Sequence, residues 1–187
     1  MSSENETLDR GVLEEVQLQK LREMLALILK QNLFYQQKLG AVGIHQPEDV
    51  QTLADYRRLP FTTKTELSDD QDAHRPYGSN LTFPLAHFIR IHQTSGTTGK
   101  PLHWLDTEES WGWFARCWES VYRGAGVTPE DRLFFAFSFG PFIGFWTAHE
   151  GARTIGAMSI SGGAMSSIQR LQAIADYQAT GLVCTPT

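Results

Sequence analysis

After His87 the chain alternates strand-like and helix-like stretches, and that alternation leaves few architectures open. His87-Phe88-Ile89-Arg90-Ile91-His92 alternates loosely, as a strand does, and Leu102-His103-Trp104-Leu105 returns as a second strand. Asp106, three residues before Glu109, is expected to cap a helix whose apolar positions are Trp111, Phe114, Trp118 and Val121. A strand over Leu133–Phe137, a helix from about Phe142 and a strand over Thr154–Ile160 follow. Beyond Gly162-Gly163 another helix is marked by Ile168, Leu171 and Ile174, and Leu182-Val183-Cys184 is the last strand. Strands separated by helices of this length predict an α/β fold, a mostly parallel sheet flanked by helices.

The first part reads differently. Leu18, Leu21, Leu25 and Ile28 recur at steps of three and four and line one helical face, and Gly40 and Gly43 end that run. Pro47, Pro60, Pro76 and Pro84 then punctuate a loop-rich stretch. The expected organisation is a helical, loop-rich region over 1–85 and an α/β subdomain over 86–187. The chain stops at Thr185-Pro186-Thr187, directly after a strand of buried type, which leads us to expect that it is truncated.

Composition excludes several function classes. A net charge of -5, from 16 basic and 21 acidic residues, gives no footprint for nucleic acid or anionic membrane. The apolar stretch Leu133–Trp146 is too short for a membrane span and is broken by Gly140 and Pro141. The polar start MSSENETLDR is not a signal peptide. Two isolated thiols, Cys117 and Cys184, fit a reducing cytoplasm, and no Cys or His spacing suits a metal site.

The segment with most chemistry is Thr94-Ser95-Gly96-Thr97-Thr98-Gly99-Lys100-Pro101. Glycines let backbone N–H groups turn inward on an anion. Ser95, Thr97 and Thr98 offer hydroxyls to phosphate oxygens, and Lys100 adds a full positive charge. A Walker A loop is excluded: Thr94 stands at its first glycine, and Pro101 follows the lysine where a Ser or Thr is needed. A Gly/Ser/Thr cluster alone reads as a plain hairpin loop.

The order T-S-G-T-T-G-K-P resembles the phosphate loop of the acyl-adenylate-forming superfamily. Arg90-Ile91-His92 before it is similar to the R-x-H of phenylacetate–coenzyme A ligases, as Leu59-Pro60-Phe61-Thr62-Thr63-Lys64 is to their L-P-F-T-T-K. Arg75-Pro76-Tyr77-Gly78 resembles their Y-P-x-G, His149-Glu150-Gly151-Ala152 their H-x-G-A, and Thr185-Pro186 their T-P-S. The resemblance covers the chain from about Phe34 to its end.

It implies part of the N-terminal domain of that fold and, for the parent protein, an ATP-dependent ligase of the AMP-forming kind that joins an aryl or hydrophobic acid to coenzyme A. It places Thr94 to Lys100 on the phosphates of ATP, with Mg2+ arriving with ATP and coenzyme A as co-substrate. Phe139, Gly140 and Phe142 fall on a Y-G-L-F-T-G segment that lines the acid pocket, although core is the favoured reading of those residues by themselves. Phe139 replaces a tyrosine, Pro141 and Ile143 replace leucine and threonine, and Phe145 stands where glycine is usual. These departures leave the class of hydrophobic acid standing rather than phenylacetate itself. No catalytic residue or metal ligand is expected in this chain, which by itself is expected to be inactive. The partners expected are an acid, ATP and coenzyme A, with no nucleic acid and no membrane; a homodimer is left open. The competing reading is a short non-catalytic nucleotide- or pyrophosphate-binding or interaction protein.

Overall fold

The computed structural model describes residues 8–94, 96 and 100–185. These fall into two compact units. One is made of the residues up to Phe88 together with those from 96 to 104. The other is made of the stretch beginning at Ile89 and the residues from Leu105 onward.

In the first unit, α1 (Arg10–Gln31) and α2 (Leu33–Gly40) are two helices where the apolar spacing suggested one run ending at Gly40. Asn32 is the reason for the break. Its Oδ1 accepts from Tyr35 N as the cap of α2, and its Nδ2 donates to Asn80 and Thr82 at 3.0 Å each. A buried Asn so bonded is worth more as a cap than as a helix interior residue. Leu25 packs with Leu39, Ile44 and Val50 in a small core that Leu18, Leu21 and Ile28 border. Two short helices follow, α3 (Leu53–Tyr56) and α4 (Lys64–Ala73), each opened by a Thr–acid capping box. In α4 that box is Thr63 with Glu66, and Lys38 also pairs with Glu66.

Gly78 needs its glycine. It has φ +83°, and a Cβ there would come within 2.4 Å of an Asp70 carboxylate oxygen. Asp70 in turn accepts from Ser79 N at 2.8 Å and Ser79 Oγ at 2.5 Å.

In the second unit, three strands form a parallel sheet in the order β4 (Met158–Ser161), β3 (Arg132–Phe135), β5 (Gly181–Val183). The expected parallel α/β sheet is therefore present. β3 is central, and Leu133, Phe134 and Phe135 are almost fully buried, as a strand covered on both faces requires. Each phenylalanine so buried contributes roughly 1.5–3 kcal/mol. A further sheet has two strands, β1 (Phe88–Gln93) and β2 (His103–Thr107).

Helices α5 (Glu108–Gly124) and α6 (Ile143–Thr154) pack closely. A Cβ on Gly151 would lie 2.3 Å from Trp118 Cβ, so glycine is what lets the two backbones approach. Trp118 Nε1 donates to Thr147 Oγ1 at 3.0 Å, and Tyr122 OH donates to Ala148 O at 2.8 Å.

Several expectations need correction. Asp106 does not cap α5; it lies in β2, and Thr107 with Ser110 makes the capping box. The face of α5 turned inward carries Trp111, Ala115 and Tyr122, whereas Phe114 and Val121 are exposed. Thr154 ends α6 rather than starting a strand, because Gly156, at φ +81°, turns the chain into β4. In α7 (Ser167–Asp176) it is Ala173 that is buried, while Ile168 and Leu171 are 70% and 68% exposed.

Candidate functional site

Of the predicted phosphate loop, Ser95, Thr97, Thr98 and Gly99 lie outside the described residues; glycine near both ends and no apolar anchor lead one to expect an exposed loop, mobile without ligand, and that expectation falls on these residues. Thr94 is exposed, and Gly96 has φ +69°, a conformation that glycine adopts without strain.

Among the loop's described residues, Lys100 pairs with a carboxylate. Its Nζ meets Asp72 Oδ2 at 2.7 Å, and Asp72 also takes Arg75 at 2.8 Å. The hydrogen bond from Lys100 holds the Asp72 carboxyl below its usual range. The chain leaving the loop is fixed by Gln71, whose side chain donates to His103 O at 2.8 Å and accepts from His103 N at 3.0 Å. Ser68, Gln71, Asp72, Arg75, Lys100 and His103 line an open cleft of about 320 Å³. Two of these groups, Arg75 and Lys100, are positively charged and exposed, which suits contact with a hydrated anion. Asp72 and Gln71 escaped the sequence reading because they sit some thirty residues upstream on α4, with no spacing that links them to Lys100.

The segment Phe139–Phe142 is divided in character. Phe139 packs at the border of the core, with ring centroids 5.3 Å from Phe137, 4.8 Å from Trp146 and 5.5 Å from His149. Gly140 O accepts from Trp146 Nε1 at 2.7 Å. A Cβ on Gly140 would touch only the Phe142 ring, at 3.5 Å, so close packing does not demand glycine there. Phe142 stands at the N-terminal boundary of α6, makes no capping bond with its side chain and is exposed. His149 lies over Phe135 and Phe139, and burial pushes its imidazole below the usual range.

The strand that leads into the loop carries a polar cluster. Arg90 lies 4.4 Å from the Trp111 ring centroid and 3.7 Å from Glu150, and Glu150 also pairs with Arg153 at 2.5 Å. Burial raises the Glu150 carboxyl, but the bond from Arg153 and its neighbours outweighs it, and the net shift is downward. Arg90 of the R-x-H stretch therefore meets Glu150, which fills the variable place of H-x-G-A.

No protein-family model matches the chain. It is 32% identical over 182 residues to the phenylacetate-coenzyme A ligase of Escherichia coli (strain K12), a match that takes in 97% of this chain and 40% of that protein. The phenylacetate-coenzyme A ligase of Thermus thermophilus is 32% identical over 186 residues, 98% of this chain and again 40% of the relative. The chain thus spans about 40% of the length of the curated relatives it matches. Among solved structures, an open conformation of 2-hydroxyisobutyryl-CoA ligase in complex with 2-HIB-AMP and CoA superposes with a TM-score of 0.88 at 26% identity, over 96% of this chain and 42% of that one. The same ligase in its thioesterification state gives 0.87 at 26% identity, over 94% and 38%. The fold described above is thus the one that such a CoA ligase shows over part of its length.

Proposed function

We propose that this chain, a phenylacetate–coenzyme A ligase-like member of the acyl-adenylate-forming superfamily, supplies the phosphate-binding loop of an ATP-dependent enzyme that joins a hydrophobic carboxylic acid to coenzyme A. In this reading the acid's carboxylate attacks the α-phosphate of ATP, pyrophosphate leaves, and the thiol of coenzyme A then displaces AMP from the acyl-adenylate. Thr94 to Lys100 hold the β- and γ-phosphates, where charge grows as pyrophosphate departs. Phe139, Gly140 and Phe142 border the acid.

The observation that carries this reading is Lys100. It is an exposed ammonium at the end of a glycine- and hydroxyl-rich loop, its charge held by one surface carboxylate, Asp72, that phosphate could replace. Among the described residues no group of three carboxylate, imidazole or thiol side chains could hold a metal ion. In this reading magnesium arrives with ATP, on its phosphates, where it would offset the charge of the departing pyrophosphate. The two cysteines are both free, which suits a cytoplasmic setting.

Calorimetric titration with Mg·pyrophosphate and Mg·ATP, compared between the wild type and Lys100→Ala, tests the assignment. Weaker binding in the variant is expected, and identical binding in the two proteins would contradict it.

A further inference from the structure

The end of β1, which leads directly into the Thr94–Lys100 loop, is held by groups that the proposed chemistry does not use. His92 and Asp106 are both buried. Asp106 Oδ1 accepts from Ser110 Oγ at 2.9 Å, and its Oδ2 faces His92 Nδ1 at 3.5 Å. At that separation neither atom has a hydrogen bond of normal length, and the same holds for Arg90 Nε and Trp111 Nε1. Four of the five buried side-chain atoms of this kind among the described residues thus gather in one place.

The next residue shows what the cluster positions. Gln93 N donates to Pro141 O at 2.9 Å, which ties the end of β1 to the turn between Phe139 and Phe142. One short piece of strand therefore borders both the loop and the proposed acid pocket.

We propose that His92 and Asp106 are a positioning pair, in which the Asp106 carboxylate takes the Nδ1–H of a neutral His92 and so fixes the end of β1 for the loop and for the Phe139–Phe142 turn together. The role in the loop rests on the phosphate-binding reading given above; the tie to Pro141 does not. The His92 ring stacks on Trp111, with centroids 5.2 Å apart and planes at 14°, so its orientation is set by contacts on two sides. The charged groups around it are Asp106 from β2, Arg90 from β1 itself and, beyond Trp111, Glu150 and Arg153 from α6. With His92 neutral these four charges cancel. Burial lowers the imidazole's proton affinity and Asp106 only partly restores it, which agrees with a neutral ring. Fixing one tautomer through a carboxylate is a known way to orient an imidazole.

The test is nuclear magnetic resonance on the 15N-labelled protein. In the wild type His92 should carry its proton on Nδ1. In Asp106→Asn that tautomer should be lost, and the Gln93 amide should exchange with solvent about tenfold faster, as for one lost charge-assisted bond, while amides of β3 stay protected. Added Mg·pyrophosphate should shift Gly96, Lys100, Gln93 and Phe142 together in the wild type, and Gly96 and Lys100 alone in the variant. An Nε2–H tautomer in the wild type, or unchanged Gln93 exchange in Asp106→Asn, would overturn the pair. If the pair behaves as expected but pyrophosphate moves neither Gly96 nor Lys100, the phosphate reading fails and the pair's role in the loop falls with it. Should Asp106→Asn fail to fold, Ser110→Ala removes the bond to Oδ1 together with the one Ser110 Oγ accepts from Thr107 N in the α5 capping box; a smaller rise in Gln93 exchange is then expected, whereas Thr107→Ala, which loosens the cap alone, should leave it unchanged, and no rise in Ser110→Ala would refute the proposal.

Discussion

Lys100 and Asp72 form an ion pair with 2.7 Å between Nζ and Oδ2, so the lysine of the proposed phosphate loop is already engaged by a carboxylate. Asp72 must be displaced, or must share Lys100, if phosphate is to take that contact. Exposed pairs are weak, so the competition is small. Asp72→Asn should therefore tighten Mg·pyrophosphate binding by no more than about fivefold, and the gain should shrink as salt is raised. Calorimetry at low and high ionic strength measures it.

Gly151→Ala should destabilise the protein by about 1–3 kcal/mol, because its Cβ would collide with Trp118 Cβ between two helices that cannot separate without opening the core. Urea denaturation reads the loss. Gly140→Ala, where a Cβ meets only ordinary contact, should cost far less and serves as the control.

Stability should fall as pH drops below about 6.5. His92 and His149 are both held below the ordinary imidazole range, with burial the largest cause in each. The unfolded chain then binds protons before the native state does, so this contribution is present above the unfolded value and is lost as pH falls towards the folded one. A second decline belongs below about pH 4.5, where Glu66, lowered to about 2 chiefly by its bond from Lys38, must take a proton. Denaturation midpoints across pH 3.5–7.5 check both steps. His92→Gln with His149→Gln should flatten the first step and leave the second.

The chain alone should not make acyl-adenylate. It spans about 40% of the length of its curated relatives, and positioning by groups outside that span would be missing. Orientation of reactants is worth about 7–11 kcal/mol where it is complete. Acid-dependent pyrophosphate exchange above background, with any aryl or alkyl acid, would refute this expectation.

Much of the architecture was legible because period and order encode it. The apolar run of β3 announces a strand buried on both faces, and the spacing of strands and helices announces the parallel sheet. The misreadings share a physical cause, which is that a short period does not say which face is covered. Ile168 and Leu171 have helical spacing, yet α7 turns the small Ala173 inward. Asp106 has the spacing of a cap, yet Thr107 takes that role and Asp106 is buried against His92. Asn32 looks unremarkable in sequence, and only its bonds to Asn80 and Thr82, some fifty residues on, show why it divides two helices. At the proposed site, the order of the loop's glycines and hydroxyls is what suggests phosphate binding, whereas Asp72, Gln71 and the Arg90–Glu150 pair are products of tertiary contact.

The central claim is that Thr94 to Lys100 bind the phosphates of ATP, and the most direct test is to compare Mg·ATP, Mg·pyrophosphate and AMP by calorimetry in the wild type, Lys100→Ala and Phe142→Ala. ATP and pyrophosphate should bind and AMP should bind far more weakly. Lys100→Ala should weaken the first two by about ten- to a hundredfold, the worth of one hydrogen bond to a charged group, and Phe142→Ala should leave them unchanged. Binding of AMP as tight as that of ATP, or a Lys100→Ala protein that binds pyrophosphate as the wild type does, would contradict the account.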